Sequence, residues 1–80
     1  MADLNHEQKT AIVVLLAKFK TPAQVRDLMR VEYGLELDIR QIVTYDPTRS
    51  AFEAGQTYHQ LFEQTREAYV SNVTAIPIAN

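Results

Sequence analysis

Four polar side chains near the middle of the sequence have functional groups that suit DNA recognition: Arg40, Gln41, Thr44 and Arg49. Arginine fits the paired acceptors of guanine, glutamine fits adenine, and the threonine methyl group packs against that of thymine. In a helix that begins after Asp38, positions 40, 41 and 44 share one face, because residues three and four apart are neighbours on a helix. The spacing therefore predicts an exposed face that can contact base edges, with Arg49 beside it.

Basic side chains around this face are candidates for contacts with DNA phosphates, which position a protein without reading sequence. They are Lys20, Arg26, Arg30 and Arg49. Three acidic side chains on the same flank oppose them: Glu36, Asp38 and Asp46. The net charge at pH 7 is −2, whereas DNA-binding domains usually carry a basic patch. The charge balance therefore predicts weak DNA binding by a single copy of the chain.

No group of residues has the spacing of a catalytic, cofactor or metal site. The two histidines, His6 and His59, are isolated from other ligands, and a zinc site needs at least three that converge. The chain has no cysteine and only two glycines, which excludes a thiolate nucleophile and a glycine-rich phosphate loop. Glu63 and Glu67 lie four residues apart beside Arg66, as on a solvated helix face. We therefore expect no enzymatic activity, no cofactor and no bound metal.

Four capping residues, each followed three positions later by glutamine, predict where helices begin. The pairs are Asn5/Gln8, Thr21/Gln24, Asp38/Gln41 and Thr57/Gln60. The side-chain oxygen of the first residue accepts from a free backbone N–H of the first turn, and the glutamine reaches back to the backbone N–H of the cap. Each pair precedes a run of apolar residues at helical spacing, so the sequence predicts an all-α fold.

The first three predicted helices form a small bundle. They cover residues 6–20, 22–33 and 39–45. Their predicted core residues recur at helical spacing: Ile12, Leu15, Leu16, Phe19, Val25, Leu28, Met29, Tyr33, Ile39, Ile42 and Val43. Gly34 ends the second helix, and Asp46 ends the third because the residue before a proline avoids helical geometry. The second and third helices thus have the layout of a helix-turn-helix over about residues 22–46.

A longer helix is predicted near the C-terminal end, over about residues 57–74. Tyr58, Phe62, Thr65 and Tyr69 follow one another at steps of four, three and four residues, the alternation of a heptad seam. The seam either packs on the other helices or joins copies of the chain, and one wide face can do both. The four residues are therefore candidates for an oligomerisation surface as well as for the core. A chain this short, without disulfides, often gains stability by association.

Length and hydropathy predict one helical domain over residues 1–80, a bundle of three to four helices. The longest apolar run, residues 11–17, has seven residues, whereas roughly 20 are needed to cross a bilayer. We therefore expect no membrane association. The absence of cysteine fits a reducing compartment such as the cytoplasm.

Three segments resemble a family of short phage and prophage proteins that includes terminase small subunits: TYDPT at residues 44–48, LFEQTREAY at 61–69 and IPIAN at 76–80. The resemblance extends over about residues 5–80 and implies a DNA-packaging protein in the host cytoplasm. Such proteins recognise viral DNA through an N-terminal helix-turn-helix, assemble into rings, and deliver the DNA to the large terminase subunit, which holds the ATPase and nuclease. The resemblance implies that the predicted reading face contacts DNA, together with the residue beside it: Arg40, Gln41, Thr44 and Arg49.

The same resemblance implies that the chain is an N-terminal part of a longer protein, because family members continue past the last segment into a basic helix. Assembly into a ring would strengthen weak binding by one copy, since linked sites raise the effective concentration. Two other functions stay open. A phage transcriptional regulator would use the helix-turn-helix as a dimer. A helical protein-interaction module would use the acidic C-terminal third and bind no DNA, since many three-helix bundles share this layout without contacting nucleic acid.

Overall fold

The computed structural model describes residues 4–75 of the chain, with side chains up to residue 71. This part contains four α-helices joined by turns. They are α1 (His6–Ala17), α2 (Pro22–Tyr33), α3 (Ile39–Val43) and α4 (Gln56–Ala75). α1 packs against both α4 and α2, and α3 packs against α2. The described residues contain no strand, so the predicted all-α bundle is confirmed. Among the same residues, no helix combines the length and the apolar character needed to cross a bilayer.

α1 and α4 run side by side in the same direction. Near their N-terminal ends, the Nδ1 atom of His6 and the Oη atom of Tyr58 are 2.7 Å apart. Near the C-terminal end of α1, the guanidinium of Arg66 donates to the carbonyl oxygens of Leu16 and Ala17. α1 has 12 residues and α4 has 20. The C-terminal part of α4 therefore extends beyond the end of α1.

The predicted starts of α1 and α2 are confirmed, because both halves of each capping box are formed. The Oδ1 atom of Asn5 accepts from the N–H of Gln8 at 2.8 Å, and the Oε1 atom of Gln8 accepts from the N–H of Asn5 at 3.0 Å. Thr21 and Gln24 make the same two bonds, at 3.2 and 2.9 Å. Asp38 is the N-cap of α3, as predicted, and its carboxylate accepts from the backbone N–H two residues on at 2.9 Å.

The start of α4 differs from the prediction by one residue. The helix begins at Gln56, directly after Gly55, whose φ of 97° lies in the left-handed region. Thr57 is therefore inside the first turn and is not the N-cap. The glycine allows a backbone turn that other residues rarely adopt, and this turn starts the helix earlier than the threonine–glutamine pattern indicates.

The predicted end of α1 is wrong, because a left-handed residue stops the helix early. The N–H of Phe19 donates to the oxygen of Leu16 at 3.1 Å, and the N–H of Lys20 donates to the oxygen of Leu15 at 3.2 Å. This is the Schellman arrangement, in which a left-handed residue lets the backbone satisfy the last carbonyl groups of a helix. Phe19 holds that position with a φ of 69°. The helix ends at Ala17, and Phe19, predicted to be a core residue, is 57% exposed.

The core lies where α1 meets the other helices. Its buried members are Ile12, Val13, Leu16, Ala17, Val25, Met29, Leu37, Ile42 and Phe62. Most of them were predicted from helical spacing, including Phe62 in the seam of α4. Ile39 was predicted to be an inner residue and is instead 37% exposed. It is the first residue of a short helix, and Leu37 in the preceding turn occupies the core in its place.

The turn between α2 and α3, residues 34–38, is fixed at both ends. Gly34 ends α2 as predicted, with a φ of 67°, and its N–H donates to the oxygen of Arg30 at 2.9 Å. The side chain of Leu37 is buried in the core, and that of Leu35 packs against it. The corner is therefore held by apolar contacts as well as by the capping residues.

Candidate nucleic-acid interface

The α2–α3 corner is a helix-turn-helix with a short second helix. α3 has five residues, which at 1.5 Å per residue makes it about 7.5 Å long. The prediction extended this helix to residue 45, whereas Thr44 and Tyr45 lie in a turn. Only about one and a half helical turns are thus available to present side chains to a groove.

Arg40 is the most exposed member of the predicted reading face. It is a surface residue in the first turn of α3, and its N–H is bound by the carboxylate of Asp38 at 2.9 Å. Gln41 and Thr44 are half-buried, and the hydroxyl of Thr44 donates to the carbonyl oxygen of Gln41 at 2.6 Å. The face therefore presents one exposed arginine beside two partly covered polar residues.

The phosphate-contact candidates of α2 gather around one acidic residue. Asp27 Oδ1 is 3.4 Å from Arg26 Nε and 3.9 Å from Arg30 Nη2, and all three side chains are exposed. Lys20 shares a shallow depression with Gln24 and Asp27. The structure thus brings the three cations predicted near α2 to one surface, with a single carboxylate between them.

Arg49 lies in the segment that follows α3, where Asp46 holds it. Asp46 is buried, with 11% of its side chain exposed. It accepts from the N–H of Thr48 at 2.9 Å, from the Thr48 hydroxyl at 2.6 Å and from Arg49 Nε at 3.2 Å. Asp46 was expected to oppose DNA from the surface. Its charge is instead turned into the protein and bound by three donors.

The four candidate oligomerisation residues differ in exposure along α4. Phe62 is buried in the core of the chain, and Tyr58 and Thr65 are half-buried. Tyr69 is 39% exposed and its ring centroid lies 6.1 Å from that of Phe19. An open groove runs beside Tyr69 and Thr65. The part of the seam beyond the end of α1 is therefore the part that reaches the surface, and the oligomerisation role itself stays a prediction.

Arg66 was expected to lie on a solvated face and is instead half-buried against the end of α1. Its Nε donates to the oxygen of Ala17 at 3.0 Å, and its Nη2 donates to the oxygen of Leu16 at 3.1 Å. Its guanidinium carbon lies 4.0 Å from the ring centroid of Phe19 and 4.6 Å from that of Phe62. The LFEQTREAY segment contains this arginine, but its sequence does not reveal the distant carbonyl groups that bind it.

Tyrosine side chains join the segment after α3 to α4. The rings of Tyr45 and Tyr58 meet edge to face, with centroids 6.3 Å apart. Burial, and then the neighbouring Tyr58, raise the pKa of Tyr45 above 10.0. This contact fixes the position of the chain directly after the candidate interface.

In the described part of the chain, no three histidine, cysteine, aspartate or glutamate residues are grouped so that they could hold a metal ion.

Comparison with known proteins identifies a family that covers the chain. The family described as “Uncharacterized conserved protein (DUF2280)” matches residues 1–80 of the chain. No curated protein and no solved structure matches the chain.

Proposed function

The chain belongs to the DUF2280 family of conserved proteins, and we propose that it is a non-enzymatic DNA-binding protein of the terminase small subunit type. In this role the α2–α3 corner recognises viral DNA for genome packaging, and the protein recruits the large terminase subunit in the host cytoplasm. The observation that carries the proposal is the corner itself. Its two helices are capped independently, its turn is anchored by Leu37, and Arg40 is exposed at the start of the second helix.

The position of Arg40 supports DNA reading. In helix-turn-helix proteins the N-terminal residues of the second helix contact base edges, while the first helix crosses the DNA backbone. Arg40 lies in the first turn of α3, and the exposed arginines of α2 lie on the helix that would cross the backbone. The arrangement therefore supports base contact by Arg40 and phosphate contact by Arg26 and Arg30 in this proposal.

The acidic residues near the corner oppose DNA less than their number suggests. Asp38 binds the N–H of Arg40, Asp46 binds Thr48 and Arg49, and Asp27 lies beside two arginines. A carboxylate beside a guanidinium repels a phosphate less than a free one does, because the positive charge compensates it. This holds for Asp27 and Asp46, whereas the backbone N–H that binds Asp38 carries no charge. Two of the acidic residues near the corner, Asp27 and Asp46, are thus compensated by arginines, and Glu36 and Asp38 still oppose DNA.

The shortness of α3 and the net charge of −2 still favour weak binding by one copy. We propose that a homo-oligomer supplies the remaining affinity, because linked copies raise the effective concentration of the second and later contacts. Two large apolar side chains of α4 beyond the end of α1, Tyr69 and Val70, are exposed, and we propose that this part of α4 contributes to the assembly.

DNA binding at low salt tests this proposal. Fluorescence anisotropy of a labelled duplex should rise on addition of the protein and fall back steeply as salt is added, since phosphate contacts release counterions. Arg40→Ala should weaken binding, because it removes the exposed arginine in the first turn of α3. Absence of binding at the lowest salt would contradict the proposal. The mass of the assembly then separates a packaging ring from a dimeric transcriptional regulator.

A protein-interaction module without DNA binding is the second candidate function. Three large apolar side chains near the end of α1 are exposed: Phe19, Tyr69 and Val70. Clustered exposed apolar residues mark interaction surfaces in many soluble proteins. Two results together would support this function. The chain would bind no duplex at low salt, and substitutions at Tyr69 would still change its association state.

A further inference from the structure

The segment that follows α3 is a closed loop, residues 44–53. The carbonyl oxygen of Thr44 accepts from the N–H of Glu53 at 2.8 Å, which joins the two ends of the loop. The ring of Phe52 meets the ring of His59 on α4, with centroids 5.7 Å apart. The loop is therefore fixed to the bundle and begins directly where α3 ends.

Asp46 organises the interior of the 44–53 loop. Its carboxylate accepts from the N–H and the hydroxyl of Thr48, and its own carbonyl oxygen accepts from the N–H of Arg49 at 3.1 Å. These bonds set the course of the backbone between the two residues. The backbone of the loop thereby places the start of the Arg49 side chain.

Arg49 is held by its Nε edge and is open to solvent elsewhere. Its Nε donates to Asp46 Oδ2 at 3.2 Å, and 52% of its side chain is exposed. A guanidinium has further N–H donors on its two terminal nitrogens, in a fixed fork that fits two oxygens of one phosphate. An arginine anchored at Nε loses less conformational entropy on binding than a free one, because several of its torsions are already fixed.

We propose that Asp46 is a positioning residue that holds Arg49 for contact with a backbone phosphate of DNA beside α3. This inference rests on the proposed DNA-binding function and assigns a supporting role to a carboxylate that electrostatics alone would count against binding. The 44–53 loop then extends the short interface that α3 provides. The ligand is the phosphate of a duplex, so the contact is independent of base sequence.

Asp46→Asn separates positioning from simple charge. The amide oxygen of asparagine can still accept from Thr48, so the loop turn is kept. The amide nitrogen replaces Oδ2 and cannot accept from Arg49 Nε. If Asp46 acts only through its charge, the variant binds DNA more tightly, because a negative charge is lost. If Asp46 positions Arg49, the variant binds more weakly.

The experiment measures the affinity for one duplex over a range of salt concentrations for the full chain and its variants. The slope of log K against log salt is negative, and Arg49→Ala should reduce its magnitude by about 0.9, the loss of one phosphate contact. Asp46→Asn should weaken binding about threefold, on the order of half of one decade, and reduce the magnitude of the slope as well. The double variant should bind no more weakly than Arg49→Ala, since both changes remove one contact.

Matched variants test the alternatives. Glu36→Gln removes an exposed charge in the turn before α3 and should tighten binding slightly. Thr48→Ala removes a hydroxyl bond of the loop but keeps the Asp46–Arg49 pair, so it should leave the salt slope unchanged. Arg49→Lys keeps the charge and loses the anchored fork, so it should weaken binding while keeping more of the salt dependence than Arg49→Ala does. This last variant also keeps the proposal testable if Asp46→Asn does not fold, as judged by circular dichroism.

Four outcomes overturn the inference. Tighter binding by Asp46→Asn, or wild-type binding by Arg49→Lys, shows that only charge matters. Normal slopes for both Arg49→Ala and Asp46→Asn, together with weak binding by Arg40→Ala, leave the proposed function standing and remove the positioning role. If the wild-type chain binds no duplex at low salt, the proposed function and this inference fall together.

Discussion

The guanidinium carbon of Arg66 lies 4.0 Å from the centroid of the Phe19 ring, and this contact completes the end of α1. The same guanidinium donates to the carbonyl oxygens of Leu16 and Ala17, two of the carbonyl groups that the end of a helix leaves without helical partners. The centroid of the Phe62 ring lies 4.6 Å from the same guanidinium carbon. One residue of α4 thus caps α1 and holds the left-handed residue that terminates it.

Arg66→Ala should lower the free energy of unfolding by about 2 kcal/mol, because a charged donor of two hydrogen bonds and a cation–π contact are lost together. Arg66→Lys should lose roughly half as much, since the ammonium keeps the charge without the planar fork. Arg30→Ala, at an exposed ion pair, should cost less than about 0.5 kcal/mol. Urea unfolding measures all three, and equal losses at positions 66 and 30 would refute the capping role.

Phe19 should destabilise the fold through its left-handed backbone conformation and stabilise it through the contact of its ring with Arg66. Its φ of 69° costs a residue other than glycine roughly 1–2 kcal/mol. Phe19→Gly and Phe19→Ala both remove the contact with Arg66, but only glycine also removes the backbone strain. The glycine variant should therefore be more stable than the alanine variant by about 1 kcal/mol. Thermal unfolding of the pair measures this difference, and equal stability would show that the left-handed backbone is not strained.

Local chemistry made the starts of α1, α2 and α3 predictable, whereas the end of α1 and part of the candidate site depend on long-range contacts. The bonds of Asn5 and Thr21 reach only three residues along the chain, so the sequence carries them in full. The end of α1 depends on a phenylalanine in a position typical of glycine and on Arg66 in a distant helix. The sequence gives no pattern for either feature.

The candidate site divides in the same way. Helical spacing was sufficient to predict that Arg40 is exposed, because α3 starts at a local cap. It could not predict that Asp46 turns inward, since that depends on how the 44–53 loop closes between Thr44 and Glu53. The sequence alone therefore predicted that Asp46 is a surface charge that repels DNA.

Stability should fall at alkaline pH partly through Tyr45. Burial, and then Tyr58, raise the pKa of Tyr45 above 10.0, so the folded protein holds this proton more tightly than the unfolded chain does. The contribution is fully present below the unfolded pKa and is lost as the pH rises through the folded pKa. Urea unfolding above pH 10 should show a steeper decline for the wild type than for Tyr45→Phe. Parallel declines would contradict a coupling between folding and this hydroxyl.

Arg40→Ala and Arg26→Ala should weaken DNA binding in different ways. An arginine that contacts a base edge contributes about 1–3 kcal/mol of discrimination, whereas one that contacts a phosphate contributes equally on every sequence. A preferred duplex is first selected from a random pool with the wild-type chain, and a shuffled duplex of the same composition serves as the reference. Arg40→Ala should reduce the ratio of the two affinities. Arg26→Ala should keep that ratio and reduce the magnitude of the slope of log K against log salt by about 0.9.

The comparison decides which helix reads sequence, because the two arginines carry the same charge and both are exposed. Arg26 also lies 3.4 Å from Asp27, so part of its charge is already compensated and its loss should be the smaller of the two on the preferred duplex. An equal loss for both variants on both duplexes would show that α3 contacts only phosphates. A reduced ratio for Arg26→Ala alone would move the reading face from α3 to α2.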